Sequence, residues 1–450
     1  MTTDSAILAR QPSALFRWMV LFFISMAMFG NYYIYDSISP LADLLKTQLG
    51  FSDTNIGLLN AIYSFPNIIM VLIGGLIIDR IGTRRSVFLF TLFVALGALI
   101  AALKGSLVTI TAGRLIFGLG AESMIVAITT IIARWFKGKE LSFAFGLNLT
   151  FARLGSFIAL NSPTWGKALY VNWQKPLFVT VAAGIVAVLF IAVYYLLDVL
   201  ATRRYAMPVE GHQEKVVLRE VFRFGAGFWF ITALCVTFYS AMFPFQTFAI
   251  KYFQEAHGTT REVGGNLSSM LTLAAMVFTP LFGLLADRTR RRALLMMFGS
   301  LLIIPVYLIM AYKIDLATPL GLQGALHLNL DFFDIHSVIP AYLIVPMAMM
   351  GIAFSLVPAV MWPSVALVVD NAKLGTAYGL MTMIQNIGLF SFNMLIGRVN
   401  DLAGASAAHP GGYTPGMWIF STLGFLGLFF AFFLHRTEKA AQAAQGLPKA

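Results

Sequence analysis

Gly75-Leu76-Ile77-Ile78-Asp79-Arg80-Ile81-Gly82-Thr83-Arg84-Arg85 closes a long apolar run, and Gly283-Leu284-Leu285-Ala286-Asp287-Arg288 repeats its Gly-x-x-x-Asp-Arg pattern 208 residues later. In each copy a glycine, an acid and a basic turn end a stretch long enough to cross a membrane. The second copy lacks an equivalent of Gly82, and Arg290 stands there. Ala144-Phe145-Gly146-Leu147 returns as Ala377-Tyr378-Gly379-Leu380 at an offset of 233, where Gly155 meets Gly388 and Gly118 meets Gly351. The offset grows by 25 residues, about the size of the polar stretch Lys313–Ser337 that only the second half carries. The chain is therefore built from two related halves.

What surrounds these copies sets the class. Of 450 residues, 59% are hydrophobic and 11% charged, far from the soluble range. Charge-free runs such as Trp18–Tyr35, Ser86–Leu103, Pro176–Leu197 and Ala293–Tyr312 recur along it. About 20 apolar residues cross a bilayer as a helix. Ten such runs, with the two helices carrying Arg114, Glu122 and Arg153, predict an all-α membrane protein of twelve transmembrane helices in two pseudo-symmetric six-helix bundles. Residues 1–200 form the first bundle and residues 224–450 the second. The polar segment 201–223 links them on the cytoplasmic side, its second part readable as a surface helix. Spans 3 and 6, almost wholly apolar, are expected to face lipid.

The net charge of +11 reports orientation, not a polyanionic partner. With the N-terminus cytoplasmic, most Lys and Arg fall in cytoplasmic segments. Eight lie outside (Lys46, Lys104, Lys167, Lys175, Lys251, Arg261, Lys313 and Arg398). That bias places both termini in the cytoplasm and excludes nucleic acid as the partner. The single cysteine, Cys235, rules out an internal disulfide. Six histidines show no metal or catalytic spacing, so neither enzyme, metal nor cofactor is expected.

Charge inside the spans carries the functional signal. Glu122 and Arg153 sit in apolar sequence, where an ionisable side chain is costly and marks function by default. At the 233-residue offset Glu122 falls on Ser355 and Arg153 on Asn386. The second half manages with neutral groups, so the scaffold does not need these charges. The acid and base suit a solute bearing both signs, Arg offering a planar fork to a carboxylate. The alternative is a buried structural pair. Tyr35, Tyr63, Tyr239 and Trp362 either line the same cavity or serve packing, and Gln385 and Asn386 are intramembrane amides expected to line it. Asp36, ending span 1, is expected at the outer interface. Pro66 is expected to kink span 2.

Twelve spans in two halves, with Gly-x-x-x-Asp-Arg-x-Gly-x-Arg-Arg after the second, resemble the major facilitator superfamily over essentially the whole chain. The resemblance implies a conformational latch made by Gly75, Asp79, Arg80 and Gly82. Asp79 would approach the start of span 11, Glu140 would complete the charge cluster, and Asp287 and Arg288 would form the counterpart. Arg114-x-x-x-Gly118-x-Gly120 is similar to the family's motif on span 4, which leaves Arg114 either a proton-coupling or a structural role. Trp135-Phe136-Lys137-Gly138-Lys139-Glu140, Ala152-Arg153-Leu154-Gly155-Ser156, Trp362-Pro363 and Leu374-Gly375-Thr376-Ala377-Tyr378-Gly379 stand in the order seen in the lysosomal dipeptide uniporter branch.

That branch implies transport of dipeptides or similar zwitterions by alternating access, as a uniporter. Glu122 and Arg153 would contact the peptide and Trp362 would line the cavity. A protonated Glu122 would instead give a symporter. The competing expectation is a proton-coupled organic-anion or drug carrier of the same superfamily. The short N-terminus without a dileucine-type signal points to a cell (inner) membrane rather than a lysosome. The chain is expected to work as a monomer among lipids on a small-molecule substrate, with an accessory subunit left open.

Overall fold

The computed structural model describes residues 12–136, 140–205, 224–322, 324–330, 335–370 and 373–444. Twelve long helices carry the fold: α1 (Ala14–Asp36), α2 (Asp53–Ile81), α3 (Thr83–Leu103), α4 (Leu107–Phe136), α5 (Leu141–Leu160), α6 (Gln174–Arg204), α7 (Ala226–His257), α8 (Arg261–Thr289), α9 (Arg292–Ala311), α10 (Ala341–Val368), α11 (Leu374–Leu402) and α12 (Thr414–Ala444). Among the described residues, eleven helical stretches are long and apolar enough to cross a membrane. Helix α2 makes the twelfth as a span bent by 57° between Met70 and Ile73, beyond Pro66 rather than at it. The described chain begins and ends on the same side. The opposite side is the far end.

The two halves are built alike, down to their turns. Gly50 and Gly258 end helical segments in the left-handed region (φ 69° and 67°), and Ser52 and Thr260 then cap α2 and α8 by accepting from Asn55 and Val263. Glycine suits such a turn because it has no Cβ to clash. After α2 the residue of positive φ is Gly82 (φ 83°), and after α8 it is Arg290 (φ 55°). Their ψ angles differ (153° and 11°), so these turns are not the same: Gly82 takes a conformation essentially reserved for glycine, and Arg290 takes the αL conformation at about 1–2 kcal/mol.

The surface between the halves obeys the same relation. A Cβ on Gly57 would strike the carbonyl oxygen of Asn393, and one on Gly265 would strike that of Leu160. Offsets of 208 and 233 exchange these two contacts, so α2 meets α11 as α8 meets α5. One apolar cluster lies wholly within the first half, around Ile24, Phe90, Phe117 and Ile191. The other fills the second half and takes in Ile38, Leu41, Leu45, Phe51 and Leu59 of the first. The cores merge at the far end.

Three details depart from expectation. Ala325–Leu330 and Ile335–Pro340, within and just beyond Lys313–Ser337, pair as an antiparallel hairpin, β1 and β2. The alternation of Leu326, Leu328 and Leu330 with His327 and Asn329 is the period-two pattern of such a strand. Helix α6 runs to Arg204, past the expected boundary, and residues 206–223 of the linker lie outside the described residues. Helix α3 is half buried, with Phe90, Val94 and Ala98 against α4, so only α6 approaches the lipid-facing expectation.

Candidate functional site

A cavity of about 230 Å³ lies between the halves. Helix α1 contributes Asn31, Tyr32 and Tyr35; α2 contributes Tyr63; α4 contributes Glu122 and Ile125; α5 contributes Arg153. From the second half come Tyr239 and Phe243 on α7, Trp362 on α10, and Thr382, Gln385, Asn386 and Leu389 on α11. All eight residues singled out in the sequence as substrate contacts line this one space. Asn31, Tyr32, Phe243 and Thr382 were not among them, yet their signal is present. Asn31 lies one turn before Tyr35, Phe243 one turn after Tyr239, and Thr382 three and four residues before Gln385 and Asn386, the spacing of one helix face.

The first half holds both charges. Tyr63 Oη donates to Glu122 Oε1 at 3.3 Å. The Arg153 guanidinium stands over the ring of Phe354, 5.2 Å from its centroid. Among the described residues neither Glu122 nor Arg153 has an ion-pair partner, and they do not pair with each other. The second half turns its polar groups inward on itself. Trp362 Nε1 donates to Tyr239 Oη at 2.9 Å, Tyr378 Oη to the Trp362 carbonyl at 3.1 Å, and Asn386 Nδ2 to the Thr382 carbonyl at 3.0 Å. Ser355, the counterpart of Glu122, donates to Gly351 one turn back. Cys235 is buried behind Gln385, its sulfur 3.6 Å from Oε1.

Arg114 lies outside the cavity. Its Nε donates to the Leu59 carbonyl at 3.1 Å, Nη1 to that of Ile34 at 3.2 Å, and Nη2 to Asn60 Oδ1 at 2.7 Å. Ile34 belongs to the last turn of α1, whose carbonyls lack helical partners, so a cation there is favourable. These are the bonds of a brace between α1, α2 and α4. Asn60 passes the connection on, donating to Thr247 Oγ1 at 2.9 Å, which donates to Asn393 Oδ1 at 2.8 Å. Asp36 sits beside this chain in a small gap shared with Tyr35, Ser39, Phe243, Gln246 and Thr247. It lies between the halves, not at a lipid interface. The rings of Tyr35 and Phe243, 6.3 Å apart, separate it from the cavity.

Charged groups shut the far end. Lys251 Nζ, fully buried, lies 2.8 Å from Asp53 Oδ1 and 3.2 Å from Glu255, and donates to Tyr413 Oη at 2.7 Å. Asn400 Nδ2 donates to Asp53 Oδ2 at 3.1 Å, and Lys46 stands 3.7 Å from Asp53. Asp401 accepts from the Asp53 and Thr54 N–H groups, both at 2.8 Å, and so caps α2 from across the interface. Arg261 pairs with Asp43, and Lys167 with Glu262 at 3.5 Å. At the 208-residue offset Asp43 corresponds to Lys251 and Asp53 to Arg261. The pairs Asp53–Lys251 and Asp43–Arg261 are therefore exchanged by the relation between the halves, with both acids in the first and both bases in the second.

At the side carrying the termini, Asp79 and Arg80 end α2 exposed and Gly75 is half buried. Glu140 pairs with Arg17 on α1 at 3.6 Å, a partner the cluster expected around Asp79 did not include. Asp198 takes both Arg84 and Arg134, at 3.3 and 3.5 Å. In the second copy Asp287 pairs with Arg292 at 2.9 Å, and Arg288 is exposed.

A family model described as Major Facilitator Superfamily matches residues 21–392 and 245–449. The chain is 31% identical over 404 residues to the lysosomal dipeptide transporter MFSD1 of Bos taurus, covering 86% of this chain and 80% of that one. It is 30% identical over 401 residues to the Homo sapiens MFSD1, covering 86% and 81%. A probable sulfoacetate transporter, SauU of Cupriavidus necator, is 21% identical over 289 residues, covering 61% and 66%. Among solved structures, a bacterial homologue of the human lysosomal transporter Spinster, inward-facing and unoccupied, superposes with a TM-score of 0.70. It is 18% identical and the match covers 95% of this chain and 98% of that one, so the likeness concerns the fold.

Proposed function

The chain belongs to the major facilitator superfamily and is a membrane transporter, and on that premise we propose that it carries dipeptides or similar zwitterions by alternating access of its two halves. The observation that carries this reading is the pair Glu122 and Arg153, facing one inter-half cavity with no ionic partner among the described residues. A dipeptide presents an ammonium and a carboxylate a few ångströms apart. Glu122 takes the first and Arg153 the second, the latter through bidentate bonds. The 31% identity to a dipeptide transporter supports the same assignment. Tyr35, Tyr63, Tyr239, Trp362, Gln385 and Asn386 complete the walls. Sites at the repeat interface, near mid-membrane, are where such carriers bind.

Access to the far side requires Asp53 to leave Lys251 and Asp43 to leave Arg261, while Asp79, Arg80 and their counterparts Asp287 and Arg288 act at the other end. The positive-inside bias favours cytoplasmic termini, and we read the membrane as that of the cell. We read the mechanism as uniport. If Glu122 takes up a proton with the cargo, uptake into proteoliposomes will follow an imposed pH gradient; a uniporter ignores it apart from cargo protonation.

The relative named for sulfoacetate supports a second reading, an organic-anion carrier in which Arg153 alone holds the cargo. Binding to the Glu122→Gln variant separates the two. Dipeptide binding is lost in the first reading, and anion binding survives in the second.

A further inference from the structure

We propose that Phe354 is a positioning residue for Arg153, and that its contact ties recognition of the cargo carboxylate to the approach of the two halves. The inference rests on the reading that Arg153 takes a carboxylate. Arg153 belongs to α5 of the first half and Phe354 to α10 of the second, and the guanidinium lies over the ring at 5.2 Å from the centroid. A cation over a ring face is attracted by the ring quadrupole, more strongly when desolvated. Phe354 is 2% exposed. Its ring meets Phe243 edge-on (6.0 Å, 79°), Phe243 stacks on Tyr239 (5.5 Å, 16°), and Tyr239 accepts from Trp362. The ring's plane is thus fixed by a column of the second half's aromatics.

Among the described residues Arg153 makes no hydrogen bond or ion pair, so its N–H groups remain available to a carboxylate while the ring attracts the cation. The ring therefore restricts Arg153 without using its donors. Because ring and cation sit on opposite halves, the restriction exists only while the halves stand this close. At the 233-residue offset the counterpart of Phe354 is Ala121, so the first half has no such ring. Where the second half lacks a charge, it supplies the surface that aims one.

The test measures binding of alanyl-alanine and of its C-terminal amide to the purified full chain by calorimetry. Phe354→Leu should raise Kd for the free dipeptide roughly 3- to 30-fold, leaving Kd for the amide unchanged. Phe354→Tyr, which keeps the ring face, should stay within about twofold of wild type. In an Arg153→Gln background, Phe354→Leu should add nothing further. Equal weakening of dipeptide and amide would make Phe354 a packing residue and overturn the proposal. So would a Phe354→Leu variant that binds the dipeptide as wild type does while wild type still prefers it to the amide. A wild-type protein that ignores dipeptides altogether sinks the transport reading and this inference with it.

Discussion

The molecule holds two sets of intramembrane or near-membrane charges, and they are treated oppositely. At the far end, Asp53, Lys251, Glu255, Asp43 and Arg261 have ionic partners, most of them across the halves. In the cavity, Glu122 and Arg153 have none among the described residues, where Glu122 accepts a long bond from Tyr63 and Arg153 lies over a ring. Both sets are at least partly withdrawn from water, and an unpaired charge there is unfavourable. The far-end charges hold the two halves together. On the proposed reading, the cavity charges are kept for a cargo that is not part of the chain.

The contrast can be broken first at the far end. Asp53→Asn leaves buried Lys251 with Glu255 as its remaining carboxylate, so the cost falls below the about 3–5 kcal/mol of a fully stranded charge yet still weakens the closed end. The closed far end should therefore lose population. In a chain with Cys235 replaced and spin labels at the exposed ends Lys104 and Lys313, the distance distribution should move to longer values. An unchanged distribution would mean these bonds do not hold the halves together.

Next comes the cavity. A hydrogen bond to a charged group contributes about 1.5–3 kcal/mol, so Glu122→Gln should weaken dipeptide binding roughly 10- to 100-fold while leaving the labelled distances alone. Weaker again is Tyr63→Phe, which removes one 3.3 Å bond and should change binding a few-fold, in keeping with about 0.5–1.5 kcal/mol. The smallest effect belongs to Asp43→Asn. Its pair is about one-fifth exposed on each side, and such pairs contribute at most about 1 kcal/mol. The distance distribution should shift only slightly, and exchanging the charges by Asp43→Arg with Arg261→Asp should restore it. A shift as large as that of Asp53→Asn would mean burial does not separate the two pairs.

Much of this was legible before any coordinates. Ten charge-free runs, with the two helices carrying Arg114, Glu122 and Arg153, announce twelve spans because a helix in lipid must satisfy its own backbone and hide few charges. The 208- and 233-residue offsets announce two halves, and the eight residues expected around one space line one cavity. Other features could not be read the same way. Lys251 and Asp53 each look like an ordinary charge near a span end, and Lys251 counts among the cations of the positive-inside tally. Their pairing becomes visible only when the offset of 208 is applied to charge sign, where Asp43 and Asp53 meet Lys251 and Arg261. Phe354 left no signal, since one more aromatic in an apolar run looks like packing. The brace made by Arg114 depends on carbonyls at the end of α1, which side-chain patterns do not report. The family resemblance assigns Glu140 to the charge cluster around Asp79. The fold gives it Arg17 instead.

The central claim is that the cavity charges read a cargo of both signs, and end-blocked peptides test it most directly. Calorimetric titration of the wild-type protein with alanyl-alanine, its N-acetyl derivative and its C-terminal amide should show binding by the free dipeptide and at least tenfold weaker binding by each blocked form, one charge-assisted bond being worth about that much. Blocked peptides that bind as well as the free one would contradict the account.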